Sequence, residues 1–410
     1  MKRFIDIYIP TEVCNFSCAY CYVSQEGYAS NKIAPIGHSP AEIRKALSVK
    51  RLGGQCFLNM CGGGETLLGE DFLPVVKELL EEGHFIQIVT NGTLTKRFRE
   101  IGEWELGLRK KLFFKCSFHF MELKKRDMLN VFFDNINYIK DMGSSFTLEL
   151  MPYDDLVPYI DEIKTITMNE VGAYPHLTVG RDNTTEGLEL LSKFSKEEYN
   201  NIWSVFNSEM FDFKMEYFGK EPKGFCYAGE WSCSLRLDTG DLFKCNGLEK
   251  IDNIYENVDA QIRFSPVGYD CPHGHCWNCH AYITLGVFPE VQAPSYAKMR
   301  DRICEDGSHW LNEELQNRFS EKLYDDNDVF SKTEMTLYAQ KQMFCKKYTQ
   351  VKEEKAILEK KLAAKEKELV EYVDWVNNLQ KQVDDRLKEL EIYKDWVSNL
   401  QGQIRELKGE

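Results

Sequence analysis

The run FIDIYIP (residues 4–10) leads directly into TEVCNFSCAYCYVS (residues 11–24). The first stretch alternates apolar and polar residues in the manner of a β-strand. The second places Cys14, Cys18 and Cys21 in a C-x3-C-x2-C spacing. Three thiols this close suit a metal, yet structural zinc closes a tetrahedron of four ligands and no histidine stands nearby. An iron–sulfur cube also takes four cysteines when saturated. Held by three, it keeps one iron open to an outside ligand.

Working outward, five further strand-like runs follow: CFLNM (56–60), FIQIVTNG (85–92), LFFKCSFH (112–119), SFTLELMP (145–152) and HLTVGRD (176–182). Amphipathic segments separate them, among them 68–83 and 127–143, each ending on a glycine suited to a helix C-cap. Strand and helix alternating six times predicts parallel βαβ units closed into a partial barrel. Such barrels carry their chemistry at the C-terminal strand ends. The unusual residues fall there: the cysteine loop after the first run, CGGGET after the second, TNGT after the third and SFH at the end of the fourth.

Residues 4–182 therefore resemble the radical S-adenosylmethionine superfamily, whose partial (βα)6 TIM-type barrel carries CNFSCAYC-like loops after its first strand. The resemblance implies a catalytic 4Fe–4S cluster on Cys14, Cys18 and Cys21, with S-adenosylmethionine chelating the open iron. Reductive cleavage would then release a 5′-deoxyadenosyl radical that abstracts a substrate hydrogen. By the same resemblance Gly62, Gly63, Gly64 and Glu65 match the glycine-rich cofactor motif. Asn91 and Ser117 match positions that bind ribose hydroxyls or the methionyl carboxylate, and Tyr20 the aromatic position near adenine. Each also has a plain reading as turn, loop or core. His119 departs from the commoner Ser-x-Asp pattern and reads as a substrate contact or a cap.

A second cysteine group follows. Cys226-x13-Gly240-x4-Cys245 and Cys276-x2-Cys279 resemble the auxiliary-cluster domains called SPASM and twitch, with the shorter twitch form favoured. This implies a second 4Fe–4S cluster on Cys226, Cys245, Cys276 and Cys279. Cys233 and Cys271 are left over as replacement ligands or as a hydrogen-atom donor. A structural zinc site drawing on His273, His275 or His280 is the alternative.

Fourteen cysteines with no secretory signal argue for a reducing, cytoplasmic location rather than a disulfide framework. No apolar run is long enough to span a membrane. The net charge of -14 lies wholly within residues 1–345, because fourteen basic residues balance fourteen acidic ones from 346 onward. That acidity disfavours a nucleic-acid substrate.

From residue 348 to 407 a strict 3,4 spacing is apolar except at Lys355, Lys365 and Arg386, and YVDWVNNLQKQV (372–383) is echoed by YKDWVSNLQGQI (393–404). This is a coiled-coil seam that calls for a partner strand, with homo-oligomerisation the expected result. The organisation expected is a core barrel over 1–225, a small auxiliary-cluster domain over 226–290, a helical connector over 291–345 and a coiled coil over 346–410.

The function expected is oxidation or epimerisation of a small polar, carbohydrate-type molecule, with an external one-electron reductant. Peptide modification is the alternative; the barrel's start at residue 4 leaves no room for a leader-binding module, which weighs against it. A zinc-stabilised coiled-coil scaffold is the alternative from outside enzymology.

Overall fold

The computed structural model describes residues 1–25, 27, 32–185 and 188–408. β1 (Arg3–Ile9), β2 (Cys56–Gly62), β3 (Phe85–Thr90), β4 (Leu112–Ser117), β5 (Ser145–Leu150) and β6 (His176–Leu177) pair in order and in parallel. The fold is α/β with a parallel core of the partial-barrel type. The intervening helices include Phe72–Glu82 and Leu129–Asp141. Gly83 takes φ +112° at the first of these ends, and Gly143 φ +83° just after the second. Left-handed backbone at a helix end favours glycine, as the sequence pattern anticipates.

β7 (Arg181–Asp182) and β8 (Glu189–Leu190) form a separate two-stranded pair. β9 (Ser232–Arg236) then returns to the main sheet and pairs in parallel with the opposite edge of β1. β10 (Asp241–Phe243) and β11 (Lys250–Asn253) extend that edge antiparallel, giving nine strands in the order β11-β10-β9-β1-β2-β3-β4-β5-β6.

The two faces of the strands differ. Ile5, Ile7, Leu58, Met60, Ile86, Ile88, Phe114, Leu148 and Leu235 pack in one apolar layer with the surrounding helices. The opposite parity carries Phe4, Asp6, Asn59, Gln87, Phe113, Lys115, Thr147, Glu149 and Ser234, by the period-two rule. Near the N-terminal ends this inner face is closed by aromatic packing. Phe4 meets Phe57 at 5.4 Å, and Phe319 meets both Phe57 (4.6 Å) and Phe113 (5.4 Å). Beyond that plug the inner face turns polar.

Residues Met1–Thr336 are one compact unit and Leu337–Glu410 a second. The 226–290 segment is thus part of the barrel unit and no free-standing domain. It lacks apolar material for a core of its own and instead lends Leu235, Leu237, Leu242, Ile254 and Ile262 to the common one. The helix carrying the heptads runs over Lys332–Lys408, starting earlier than expected. Residues 409 and 410 of the expected coiled coil lie outside the described residues.

Candidate metal centre and active site

The three-cysteine loop leaves the C-terminal end of β1 and is fastened by the loops after β2 and β3. Gly64 N–H donates to the Thr11 carbonyl (2.6 Å) and Glu65 N–H to the Val13 carbonyl (2.9 Å). A Cβ at Gly64 would collide with the Val13 carbonyl, so only glycine permits this approach. Gly62 and Gly63 are also tight, against the Thr11 carbonyl and the Tyr8 hydroxyl. The glycines of GGGET therefore have a packing reason of their own beside the cofactor role that the resemblance implies.

Glu65 is buried and acts as a strut. Its carboxylate accepts from Thr90 Oγ1 (2.7 Å), Asn91 N–H (2.7 Å) and Leu67 N–H (3.1 Å), locking the end of β2 to the end of β3. Burial pushes its pKa up, and these three bonds oppose the rise. Asn91 in turn reaches the cysteine loop. Its Nδ2 donates to Asn15 Oδ1 (2.6 Å) and points at Cys14 Sγ (3.9 Å), while Asn15 Nδ2 donates to Thr93 Oγ1 (2.9 Å).

On the other flank Tyr20 packs against Tyr153 in a tilted pair, 4.7 Å between ring centroids, and its hydroxyl meets His119 Nδ1 at 2.6 Å. Burial lowers the His119 pKa to about 4, so the ring is neutral. His119 stands at the helix N-cap position without making a side-chain cap bond. Ser117 ends β4, half-buried, and its carbonyl accepts from His119 N–H (3.1 Å).

Cys14, Cys18 and Cys21 interact electrostatically with one another. Burial pushes the Cys18 thiol up to about 12, so a metal must displace its proton. Among the described residues no three His, Cys, Asp or Glu side chains converge as ligands of a single ion. The three thiols on one tethered loop fit a cube, whose ligands attach to separate irons and are all sulfur.

The second group gathers five thiols. Cys226 lies within electrostatic range of Cys245 and Cys271, and Cys276 within range of Cys279, Cys245 and Cys226. A two-way backbone bridge from Cys226 to Gly268 and the Cys279 N–H bond to the Cys276 carbonyl (3.3 Å) hold them. Gly240, at φ +76°, closes the β9–β10 turn, where a Cβ would strike the Tyr255 ring. This all-sulfur set fits a second cube, with Cys271 beside the four residues first assigned to it.

Cys233 does not join them at the inner face. It alternates outward from β9 into the apolar layer, opposite Ile5 and within range of Arg3 and Cys56. Cys271 lies among the other thiols, near Cys226 and Cys245.

Between the two thiol groups the inner face of the strands carries a buried polar cluster that the motifs did not reveal, and beside it Arg181 and Lys214 line a small cavity with Cys276 and Cys279. Cys61 is within range of Cys21 and Glu65 and also of Asp6 and Lys115, which links the cysteine loop to the barrel interior. Asn59 Nδ2 donates to Asp6 (2.7 Å), Gln87 Nε2 donates to Asn59, and Tyr296 donates to Gln87 (2.7 Å). Lys115 pairs with Glu149 at 3.0 Å, and Arg300 pairs with the same carboxylate. Burial, joined by the Arg300 charge, pushes the Lys115 ammonium down to about 8. Arg181 and Lys214 flank Cys279, and His280 is within range of Lys115, Lys214 and Arg181. The sequence signals were polar residues at inward parity inside the strand runs, Asp6, Asn59, Gln87, Lys115 and Glu149; Arg300 comes from a segment that gave none.

Residues 8–108 match the model of the radical SAM superfamily. Over 91 residues the chain is 31% identical to 7-carboxy-7-deazaguanine synthase of Thermoplasma acidophilum, a match spanning 22% of this chain and 39% of that relative. Among solved structures, it is similar to Streptococcus suis SuiB bound to S-adenosylmethionine, with 13% identity, 66% of each chain covered and a TM-score of 0.44. It is also similar to anSMEcpe with bound AdoMet and Cp18Cys peptide, with 16% identity, 62% of this chain and 78% of that one covered and a TM-score of 0.43. No helix among the described residues is long and apolar enough to cross a membrane.

Proposed function

We propose that this chain, which carries a radical SAM superfamily domain over residues 8–108, is an enzyme that draws hydrogen from a small polar substrate held inside the barrel. The observation that carries the reading is the tethering of Cys14, Cys18 and Cys21 by two independent loops at the C-terminal strand ends, next to the polar inner face. A 4Fe–4S cluster on these thiols would supply one electron to bound S-adenosylmethionine, giving methionine and a 5′-deoxyadenosyl radical.

This chain's residues do the rest. Gly64 and Glu65 keep the loop in register, Asn91 turns its amide towards the Cys14 sulfur, and the Tyr20–His119 pair holds one wall with no charge. The strands exclude water through the aromatic plug at their N-terminal ends. Cys226, Cys245, Cys276 and Cys279, with Cys271 adjacent, would hold a second cluster, which would supply a one-electron acceptor for an oxidation. Nothing in the polar cluster selects for a carbohydrate, so the proposal is limited to a small polar molecule.

Anaerobic reconstitution with iron and sulfide, followed by dithionite and S-adenosylmethionine, tests the reading. Release of 5′-deoxyadenosine is expected from the wild-type chain and absent from Cys14→Ala. A wild-type chain that binds iron yet releases none would sink the proposal.

The second unit suggests a partner. Heptad positions place Val376, Val383, Val397 and Ile404 on one row and Leu358, Leu379, Leu400 and Leu407 on the other, the pattern of parallel two-stranded coils. All but the half-buried Leu400 are exposed in the single chain. A second copy is the proposed occupant, and sedimentation equilibrium of the full chain should give twice the monomer mass.

A further inference from the structure

We propose that the small cavity lined by Arg181 and Lys214, next to the buried polar cluster of Lys115, is an oxyanion site in which these three side chains recognise a carboxylate or phosphate on the substrate. The inference rests on the reading that the barrel interior holds the reacting molecule.

Charge balance is the first support. Four cations (Lys115, Arg181, Lys214 and Arg300) share this region with two carboxylates, Asp6 and Glu149. Glu149 is already divided between Lys115 and Arg300. Burial raises the Asp6 pKa and likewise lowers the Lys115 and Lys214 ammonium groups to about 8 and about 7, so charge of either sign is held here at a cost that a bound counter-ion would relieve. Among the described residues neither Arg181 nor Lys214 pairs with a carboxylate: Lys214 bonds only the Thr178 hydroxyl, and Arg181 lies 5.2 Å from the Trp277 ring centroid. An excess of positive charge inside a protein of net charge -14 is costly unless an anion completes it.

Unfilled hydrogen bonding is the second support, and it is independent of the charges. Thr147 Oγ1 and His280 Nδ1 have no hydrogen-bond partner among the described residues, in residues 0% and 8% exposed, whereas Tyr282 shares its hydroxyl with Ser234 and Cys245. Thr147 is level with Lys115 in the β4–β5 register, and Tyr282 lies beside Ser234 and Cys245 and within range of Asp6. Buried polar atoms left open in this way call for a ligand with several acceptors. An oxyanion offers acceptors on every oxygen, and Arg181 can engage two at once.

The rival explanation for Arg181 and Lys214 is that they only offset the charge of a cluster on Cys276 and Cys279. It leaves out Lys115, which is paired with the Glu149 carboxylate it shares with Arg300 and has Cys61, Asp6 and Arg181 nearby.

The test is calorimetric titration of the anaerobically reconstituted full chain with inorganic phosphate and, separately, with malonate. One saturable site per chain is expected for at least one probe, with a dissociation constant below about 10 mM. A preference of about tenfold identifies phosphate or carboxylate as the group read. Lys115→Met and Lys214→Met should each weaken binding by at least about tenfold while iron content holds, whereas exposed Lys124→Met should not. Two variants guard against one that fails to fold. Absence of binding by both probes overturns the proposal, as does unaltered binding in both folded variants or a loss of iron with no loss of anion binding. Deoxyadenosine release by the wild-type chain is measured separately, so failure of the anion site and failure of the radical reading are distinguishable.

Discussion

Cys14, Cys18 and Cys21 occupy one eight-residue loop, whereas Cys226, Cys245, Cys271, Cys276 and Cys279 are drawn together from across a stretch of more than fifty residues. The first group is local in sequence but dependent on others for position: Gly64, Glu65 and Asn91 hold it from two different strand ends. The second is scattered in sequence but made rigid by pairing of its segment with β1 and by backbone bridges. Cys14 is exposed, while Cys226 and Cys279 are buried. The difference is graded, since Cys18 is also buried and Cys245, Cys271 and Cys276 are half-buried, so position along the chain separates the two groups more than exposure does.

The most severe test of this contrast is Cys18→Ala, which should reduce deoxyadenosine release to background by product chromatography while leaving the second group's iron in place. Next is Gly64→Ala. Its Cβ has nowhere to go beside Val13, so the loop must shift; release should fall about 10- to 100-fold, as when outer-shell supports of a metal site are lost. Cys276→Ala should reverse the pattern, removing about half of the bound iron by colorimetric assay while deoxyadenosine release without substrate persists. If release vanishes with it, the two groups are not separate centres. Asn91→Ala removes the amide directed at Cys14 and the tie to Asn15, and should lower release about tenfold and shift the reduction potential measured by spectroelectrochemistry.

The smallest effect expected is on stability against pH, and it arises outside both groups. His84 Nε2 meets the Leu47 carbonyl (2.8 Å) and its Nδ1 accepts from Cys56 N–H (3.1 Å), a neutral ring that burial keeps below the ordinary histidine pKa. His176 is lowered further by burial and the Arg302 charge. With folded-state pKa values below the unfolded one, the unfolded chain binds more protons under acid conditions. Stability should therefore be full above about pH 6.5 and decline as pH falls below it. Urea midpoints at pH 7, 6 and 5 would check this; a midpoint that rises on acidification would contradict it.

Much of the fold was legible because its signals are periodic and short-range. Alternation of apolar residues and glycine stops placed the six strands and their helices. The cysteine spacing, GGGET and TNGT were legible for the same reason, since each motif is contiguous. What escaped was set by long-range pairing. No local pattern says that β9 returns beside β1, which turns Cys233 into the apolar layer and absorbs the 226–290 segment into the barrel unit. Nor does it say that Arg300 enters the barrel to share Glu149 with Lys115.

The sequence by itself determined the alternation of elements, the three-thiol loop at a strand end and the heptad seam, because each depends on residues a few positions apart and on the fixed geometry of strand and helix. Only the tertiary structure decided which face each inner residue presents, which thiols are neighbours and where positive charge accumulates. Those outcomes depend on which distant strands pair, and pairing is settled by burial summed over the whole unit.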